Sequence, residues 1–85
     1  MTEAGVAEGL PREMATELAV ATVAGAGALA SQSDEGAGQL RKNVTSPNGT
    51  TQAALEVLMD EETGLPPLMK RAVKAATDRS RELGA

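Results

Sequence analysis

Apolar residues recur at three- and four-residue spacing along most of this chain, which is the pattern of amphipathic helices. Residues 2–10 are typical of the end of a helix that Gly9 closes. Pro11 at a first helical position and Glu13 in the first turn then predict a second helix that runs to about Ser31. No segment alternates with period two, so the sequence predicts no strand.

Three further helices follow. Ser33 supplies an N-cap for a short helix that runs to about Val44, and residues 45–49 break it. A fourth helix is predicted from Thr50 to about Met59 and ends in the acidic turn 60–64. The last helix starts at Pro66 and is predicted to bury Leu68, Met69, Ala72, Val73, Ala76 and Leu83. The expected fold is therefore all-α, with about five helices in a single domain spanning residues 1–85.

Residues 18–30 of the second helix are small and apolar on nearly every face, so we expect this helix to be buried almost all round. Gly25 and Gly27 each weaken an isolated helix by about 0.8–1 kcal/mol relative to alanine, and tertiary packing must compensate. Small side chains let two helix backbones approach closely. Two interpretations stay open: an interface helix between two subunits, and an Ala-rich core helix inside one subunit.

The amino-acid composition excludes several classes of catalytic chemistry and of partner. The chain has no Cys, His or aromatic residue, which removes thiol, imidazole and most metal-based catalysis, and no metal site is expected. Residues 1–40 carry a net charge of −5 and residues 41–85 carry +1, so nucleic acid is not an expected partner. The N-terminus lacks a signal-peptide pattern and the apolar run 18–30 is only 13 residues long, so we expect a cytoplasmic protein that does not cross a membrane.

The segment VTSPNGTT, residues 44–51, is the one chemically pointed feature. Pro47 restricts the backbone, while Asn48 and Gly49 tolerate a left-handed conformation, so the chain can turn sharply before the fourth helix. The unpaired N–H groups of residues 49–52, flanked by the hydroxyls of Ser46, Thr50 and Thr51, would then form an anion site. The alternative is an ordinary helix cap made by Ser46, Asn48 or Thr50.

A longer stretch around this segment, LRKNVTSPNGTTQAALEVL, resembles the signature of pyrroline-5-carboxylate reductase. The preceding TEAGVAEGLPREMATELAVATVAGA is similar to the long helices of that family, and LMKRAVKAATDRSRELG is similar to its closing helix. The resemblance implies the C-terminal helical domain, in which two subunits interleave their helices and complete each other's active sites. It implies a homodimer, and in many members the dimers assemble further into rings.

The resemblance also assigns roles by position. It implies that the backbone and hydroxyl groups around Ser46, Gly49, Thr50 and Thr51 hold the substrate carboxylate, and that Thr51 relays a proton to the ring nitrogen. Val44 would line the pocket. Asp34 falls where some members carry a Glu near the site.

Two positions depart from the family pattern. Asn48 stands where many members have a second Gly, and Met59 stands where the pattern usually has a polar or acidic residue. Asparagine tolerates a positive φ, so we expect the loop to survive. Neither departure removes the predicted anion site.

In the complete enzymes of this family, an N-terminal Rossmann domain holds the NADPH or NADH that reduces pyrroline-5-carboxylate to proline. This chain contains no G-x-G-x-x-G motif and no βαβ pattern, so we expect that domain to be absent and no cofactor to bind. The chain would then be part of an NAD(P)H-dependent oxidoreductase but inactive alone. Two other classes stay open: a helical oligomerisation or binding module without catalysis, and a phosphopantetheine carrier, which lacks its expected Asp-Ser-Leu attachment site here.

Overall fold

The computed structural model describes residues 1–84, which form five α-helices and no strand. The all-α prediction with about five helices is confirmed. The chain divides into two compact units, the first ending at Asn43 and the second beginning at Val44. The helices are α1 (Thr2–Ala7), α2 (Arg12–Gln32), α3 (Ala37–Asn43), α4 (Thr50–Leu58) and α5 (Leu65–Gly84).

In the first unit, α1 packs against the start of α2 through small residues. A Cβ atom built on Gly5 would lie 3.1 Å from Ala15 Cβ and 3.3 Å from a Leu10 methyl carbon. Gly9 has a φ of +103°, as the predicted helix end requires, and the Leu10 N–H donates to the Gly5 carbonyl at 3.1 Å. This close approach buries Ala15, which is only 3% exposed.

The start of α2 differs by one residue from the prediction. Pro11 is the N-cap residue, with φ −57° and ψ 142°, and the helix begins at Arg12. The Arg12 guanidinium makes a two-pronged ion pair with the Glu3 carboxylate, which ties the start of α2 to α1. The arginine holds the pKa of Glu3 below its ordinary value, and the carboxylate raises the pKa of Arg12. Both side chains are exposed, so the pair adds little to stability.

The expectation that α2 is buried nearly all round is wrong for the single chain. Its large apolar side chains are exposed, Val23 by 64%, and a Cβ on Gly25 or Gly27 would meet no atom within 4 Å. Within residues 1–84, nothing packs against Gly25 or Gly27. The 13-residue apolar run also underestimated the length of the apolar helix. Helix α2 spans 21 residues and is long and apolar enough to cross a membrane by length and composition alone. Helices that pack inside soluble proteins meet the same criterion, so the absence of a membrane partner stays a prediction.

Helix α3 begins later than predicted. The Ser33 hydroxyl accepts a hydrogen bond from the Glu35 N–H at 3.1 Å, which closes a local turn rather than capping a helix. The helix starts at Ala37 and ends at Asn43. Arg41 and Lys42 do lie in its last turn, as predicted, where cations favour the helix dipole.

In the second unit, α4 begins at Thr50 as predicted and α5 begins at Leu65, one residue before the predicted Pro66. The burial predicted for α5 is wrong in the single chain, since its apolar stripe faces solvent; Leu83, for example, is 70% exposed. The exposed residues of this stripe are Leu68, Met69, Ala72, Val73, Ala76 and Leu83. The three- and four-residue spacing identified the apolar face correctly, but no described residue of the same chain covers it.

Candidate functional site

The site residues predicted in the 44–51 segment all lie in the second unit, on the turn that leads into α4. Ser46 and Thr50 are exposed, while Gly49 and Thr51 are half-buried. Val44 precedes the turn and is 61% exposed. Asp34 lies in the first unit, and its role near the site stays a prediction.

The turn is made by one left-handed residue. Asn48 has a φ of 60°, and it is the one non-glycine residue with positive φ among residues 1–84. Gly49 instead has extended backbone, with φ −88° and ψ −179°, so it does not use the conformational freedom of glycine. Its N–H donates to the Ser46 carbonyl at 3.0 Å, which closes the turn.

A glycine is nevertheless favoured at position 49 because the turn is tight there. A Cβ atom on Gly49 would lie 3.2 Å from the Ser46 carbonyl oxygen and 3.3 Å from Ser46 Cβ. Those distances require the turn to shift by a few tenths of an ångström. The absent side chain of Gly49 thus keeps the first turn of α4 close to Ser46.

The start of α4 has no side-chain cap. Gly49 is the N-cap residue, and no hydroxyl or amide side chain accepts a hydrogen bond from the first turn. The first bond of the helix runs from the Ala53 N–H to the Gly49 carbonyl at 3.1 Å. Within residues 1–84, the N–H groups of Thr50 and Thr51 donate to no protein acceptor.

This arrangement decides between the two interpretations of the segment only in part. The alternative that Ser46, Asn48 or Thr50 caps the helix is wrong. The prediction that the Gly49 N–H is unpaired is also wrong, because this N–H donates to the Ser46 carbonyl. The amides of Thr50 and Thr51 point out of a helix N-terminus beside hydroxyl groups, which is an arrangement suited to an anion.

One residue of the turn was not singled out by the sequence. The Gln52 side-chain oxygen accepts a hydrogen bond from the Asn48 N–H, which reaches back across the turn. Glutamine at the third helical position commonly bonds back to the N-terminal backbone, so its spacing from Gly49 was a usable signal. A polar depression of about 150 Å³ adjoins this bond and is lined by Asn48, Gly49, Gln52, Ala53 and Glu56.

In the second turn of this unit, residues 60–64, a side chain of the turn itself accepts backbone N–H groups. One carboxylate oxygen of Asp60 accepts the N–H groups of Glu62 and Thr63, both at 2.8 Å, and the Thr63 hydroxyl at 3.1 Å. These three donors hold the pKa of Asp60 below its ordinary value, with the Thr63 N–H the largest cause. In the part of the chain that the structure describes, no group of three or more acidic side chains could hold a metal ion.

Comparison with known proteins assigns this helical chain to a protein family. The sequence model of the family described as Pyrroline-5-carboxylate reductase dimerisation matches residues 1–83. The chain belongs to this family. The resemblance drawn from the 44–51 segment and its flanks is thereby confirmed at the level of the pyrroline-5-carboxylate reductase dimerisation domain.

Individual relatives agree. The chain is 47% identical over 83 residues to the pyrroline-5-carboxylate reductase of Pisum sativum, 45% over 84 residues to that of Corynebacterium melassecola, and 43% over 83 residues to that of Pseudomonas aeruginosa. These matches cover 98–99% of this chain but 30% of each relative. The dimerisation family thus accounts for residues 1–83, and the chain spans about 30% of the length of these reductases.

Proposed function

We propose that this chain forms the dimer and the substrate-carboxylate site of a pyrroline-5-carboxylate reductase, which reduces 1-pyrroline-5-carboxylate to L-proline with NADPH or NADH. The observation that carries the proposal is the uncapped start of α4, where the amides of Thr50 and Thr51 have no protein acceptor within the described residues. That start lies in a chain whose family is named for dimerisation and whose relatives are named as this reductase. The substrate is a small ring bearing one carboxylate, and a carboxylate is an anion that a helix N-terminus can bind.

The proposed roles follow from the position of each group. The amides of Thr50 and Thr51 and the hydroxyl of Ser46 would hold the carboxylate, because all three can donate hydrogen bonds to an anion. The Thr50 hydroxyl adds a fourth donor. The missing side chain of Gly49 keeps the loop near Ser46, and the exposed apolar side chain of Val44 would cover part of the ring.

Reduction of the cyclic imine adds a hydride to the C=N carbon and a proton to the ring nitrogen. The nicotinamide cofactor supplies the hydride when it is bound; residues 1–84 contain no βαβ unit, and we assign no hydride-transfer step to this chain. The Thr51 hydroxyl is the proposed proton relay because of its position in the family pattern, and Thr51 is half-buried. A cytoplasmic location is part of the proposal and rests on the sequence alone.

Carboxylate binding can be measured on the 85-residue chain by calorimetric titration with pyrrole-2-carboxylate, a stable ring analogue, and with pyrrolidine, which lacks the carboxylate. We expect binding of the carboxylate ligand only, and weakly, and Thr50→Val should weaken it about tenfold because a hydroxyl donor to the carboxylate is lost. Thr77→Val, an exposed threonine on α5, is the matched control and should bind like the wild type. Equal heats for both ligands, or no effect of Thr50→Val, would contradict the assignment.

A helical oligomerisation module without catalysis is the second candidate. The exposed apolar stripe of α5 and the exposed small residues of α2 favour it, since both need a covering surface. Family membership supports a homodimer, and sedimentation equilibrium at micromolar concentration should show at least a dimer. Dimerisation without carboxylate binding would favour the module, whereas a folded monomer would contradict both candidates.

A further inference from the structure

Gln52 makes a side-chain bond that spans the 44–51 turn. Its side-chain oxygen accepts the N–H of Asn48, four residues earlier, and the side chain is half-buried against the turn. Asn48 is the residue in the left-handed conformation, with φ 60°. The bond therefore acts on the residue at which the chain changes direction.

That conformation needs support. A positive φ is sterically unfavourable for an L-residue. The penalty is smaller for asparagine than for most residues but larger than for glycine. Asn48 is followed by Gly49 in extended conformation and then by the first residue of α4. A rotation of Asn48 out of the left-handed region would therefore turn the N–H groups of Thr50 and Thr51 away from their present direction.

We propose that Gln52 is a positioning residue of the substrate-carboxylate site: it holds Asn48 in the left-handed conformation and so fixes the direction of the Thr50 and Thr51 amides. This inference rests on the proposed function. The bond to Asn48 uses the side-chain oxygen of Gln52, and the proposal assigns Gln52 no contact with the carboxylate. Its role is to hold the Thr50 and Thr51 amides in the binding orientation before the ligand binds. Less conformational entropy is then lost on binding.

The test compares Gln52→Ala with Gln39→Ala. Gln39 is the matched control, since it too is the third residue of a helix, and its side-chain amide donates to the Asn43 side chain at 2.9 Å, in the first unit. Gln52→Ala should speed hydrogen exchange of the Asn48 amide and weaken pyrrole-2-carboxylate binding by about 2- to 10-fold, the range of one lost hydrogen bond. Gln39→Ala should change neither quantity.

A second variant separates positioning from general stability. In Asn48→Gly, the backbone reaches the left-handed region without a Cβ penalty, so adding Gln52→Ala should weaken binding by less than about twofold. An equal loss in both backgrounds would overturn the proposal, because Gln52 would then act by another route. Unchanged Asn48 exchange in Gln52→Ala would also overturn it.

The two proposals fail in different ways. If the wild type binds pyrrole-2-carboxylate and Gln52→Ala binds it equally well, the positioning role is wrong and the carboxylate site stands. If the wild type shows no carboxylate binding while the Asn48 amide is protected, the carboxylate site is wrong for this chain and the positioning role falls with it.

Discussion

Helices α4 and α5 both begin after a turn rich in short polar residues, yet the two turns use their polar groups in opposite ways. In the 60–64 turn, one oxygen of Asp60 accepts three donors and Gly64 is buried. In the 44–51 turn, the N-cap residue Gly49 has no side chain, and the amides of Thr50 and Thr51 have no acceptor within residues 1–84. The 60–64 turn thus uses a side chain to satisfy its own N–H groups, whereas the 44–51 turn leaves two N–H groups without an acceptor in the described residues.

The comparison shows why residue type alone does not identify a site. The acidic turn 60–64 carries three carboxylates and could be mistaken for a cation site, but the Asp60 oxygen is occupied by its own backbone. The 44–51 turn carries no charged residue and yet presents free donors. What distinguishes them is which hydrogen-bonding groups the fold has already used.

The largest expected difference between the turns is in the effect of adding one methyl group. A Cβ on Gly64 would lie 2.5 Å from the carbonyl oxygens of Asp60 and Leu58, so Gly64→Ala should destabilise the chain by roughly 2–3 kcal/mol. A Cβ on Gly49 would lie 3.2 Å from the Ser46 carbonyl oxygen, so Gly49→Ala should lower the free energy of unfolding by less than about 1 kcal/mol. The same substitution should weaken carboxylate binding by a larger free energy. Denaturant titration and calorimetry measure the two quantities.

Gly38→Ala is the control for this pair. No atom lies within 4 Å of a Cβ at that helical position, so alanine should stabilise by up to about 1 kcal/mol. If Gly64→Ala and Gly38→Ala proved equally mild, the tight packing of the 60–64 turn would be wrong. If Gly49→Ala lowered stability as much as Gly64→Ala, the two turns would not differ as described.

A smaller effect should appear in the pH dependence of stability. The pKa of Asp60 is lowered in the folded chain, so its stabilisation is complete above the ordinary Asp pKa, about 3.9, and is lost as pH falls through the lowered value. Asp60→Asn keeps an acceptor oxygen but cannot titrate. Thermal unfolding measured from pH 7 downward should therefore show a smaller loss of stability with acid in Asp60→Asn than in the wild type. An identical loss in both proteins would contradict the stabilising role of the Asp60 carboxylate in the turn.

Helix positions were largely predictable from the sequence because their signals are local. Gly9 and the 45–49 break marked helix ends, and the predicted start at Thr50 is correct. The start of α3 was misplaced because the Ser33 hydroxyl bonds to Glu35 in a turn, a competition that sequence alone does not resolve. The errors at Pro11 and Pro66 amount to one residue each.

Burial was not predictable in the same way. The apolar faces of α2 and α5 were identified by spacing, but the sequence does not say whether the covering surface belongs to the same chain. The candidate site falls between these cases: the hydroxyls were predicted from the motif, while the pairing of the Gly49 amide and the bond from Asn48 to Gln52 depend on the exact path of the turn.

The left-handed Asn48, with Gly49 after it, also has a consequence for the chemical ageing of this protein. Asparagine followed by glycine is prone to deamidation, in which the glycine nitrogen attacks the asparagine side-chain carbon, ammonia leaves, and water opens the ring to aspartate or isoaspartate. The Gly49 N–H is engaged by the Ser46 carbonyl at 3.0 Å, which withholds that nitrogen while the turn is intact. Variants that loosen the turn should therefore deamidate faster in storage, as peptide mass spectrometry would show, and each event would place a negative charge beside the donors that we propose bind a carboxylate.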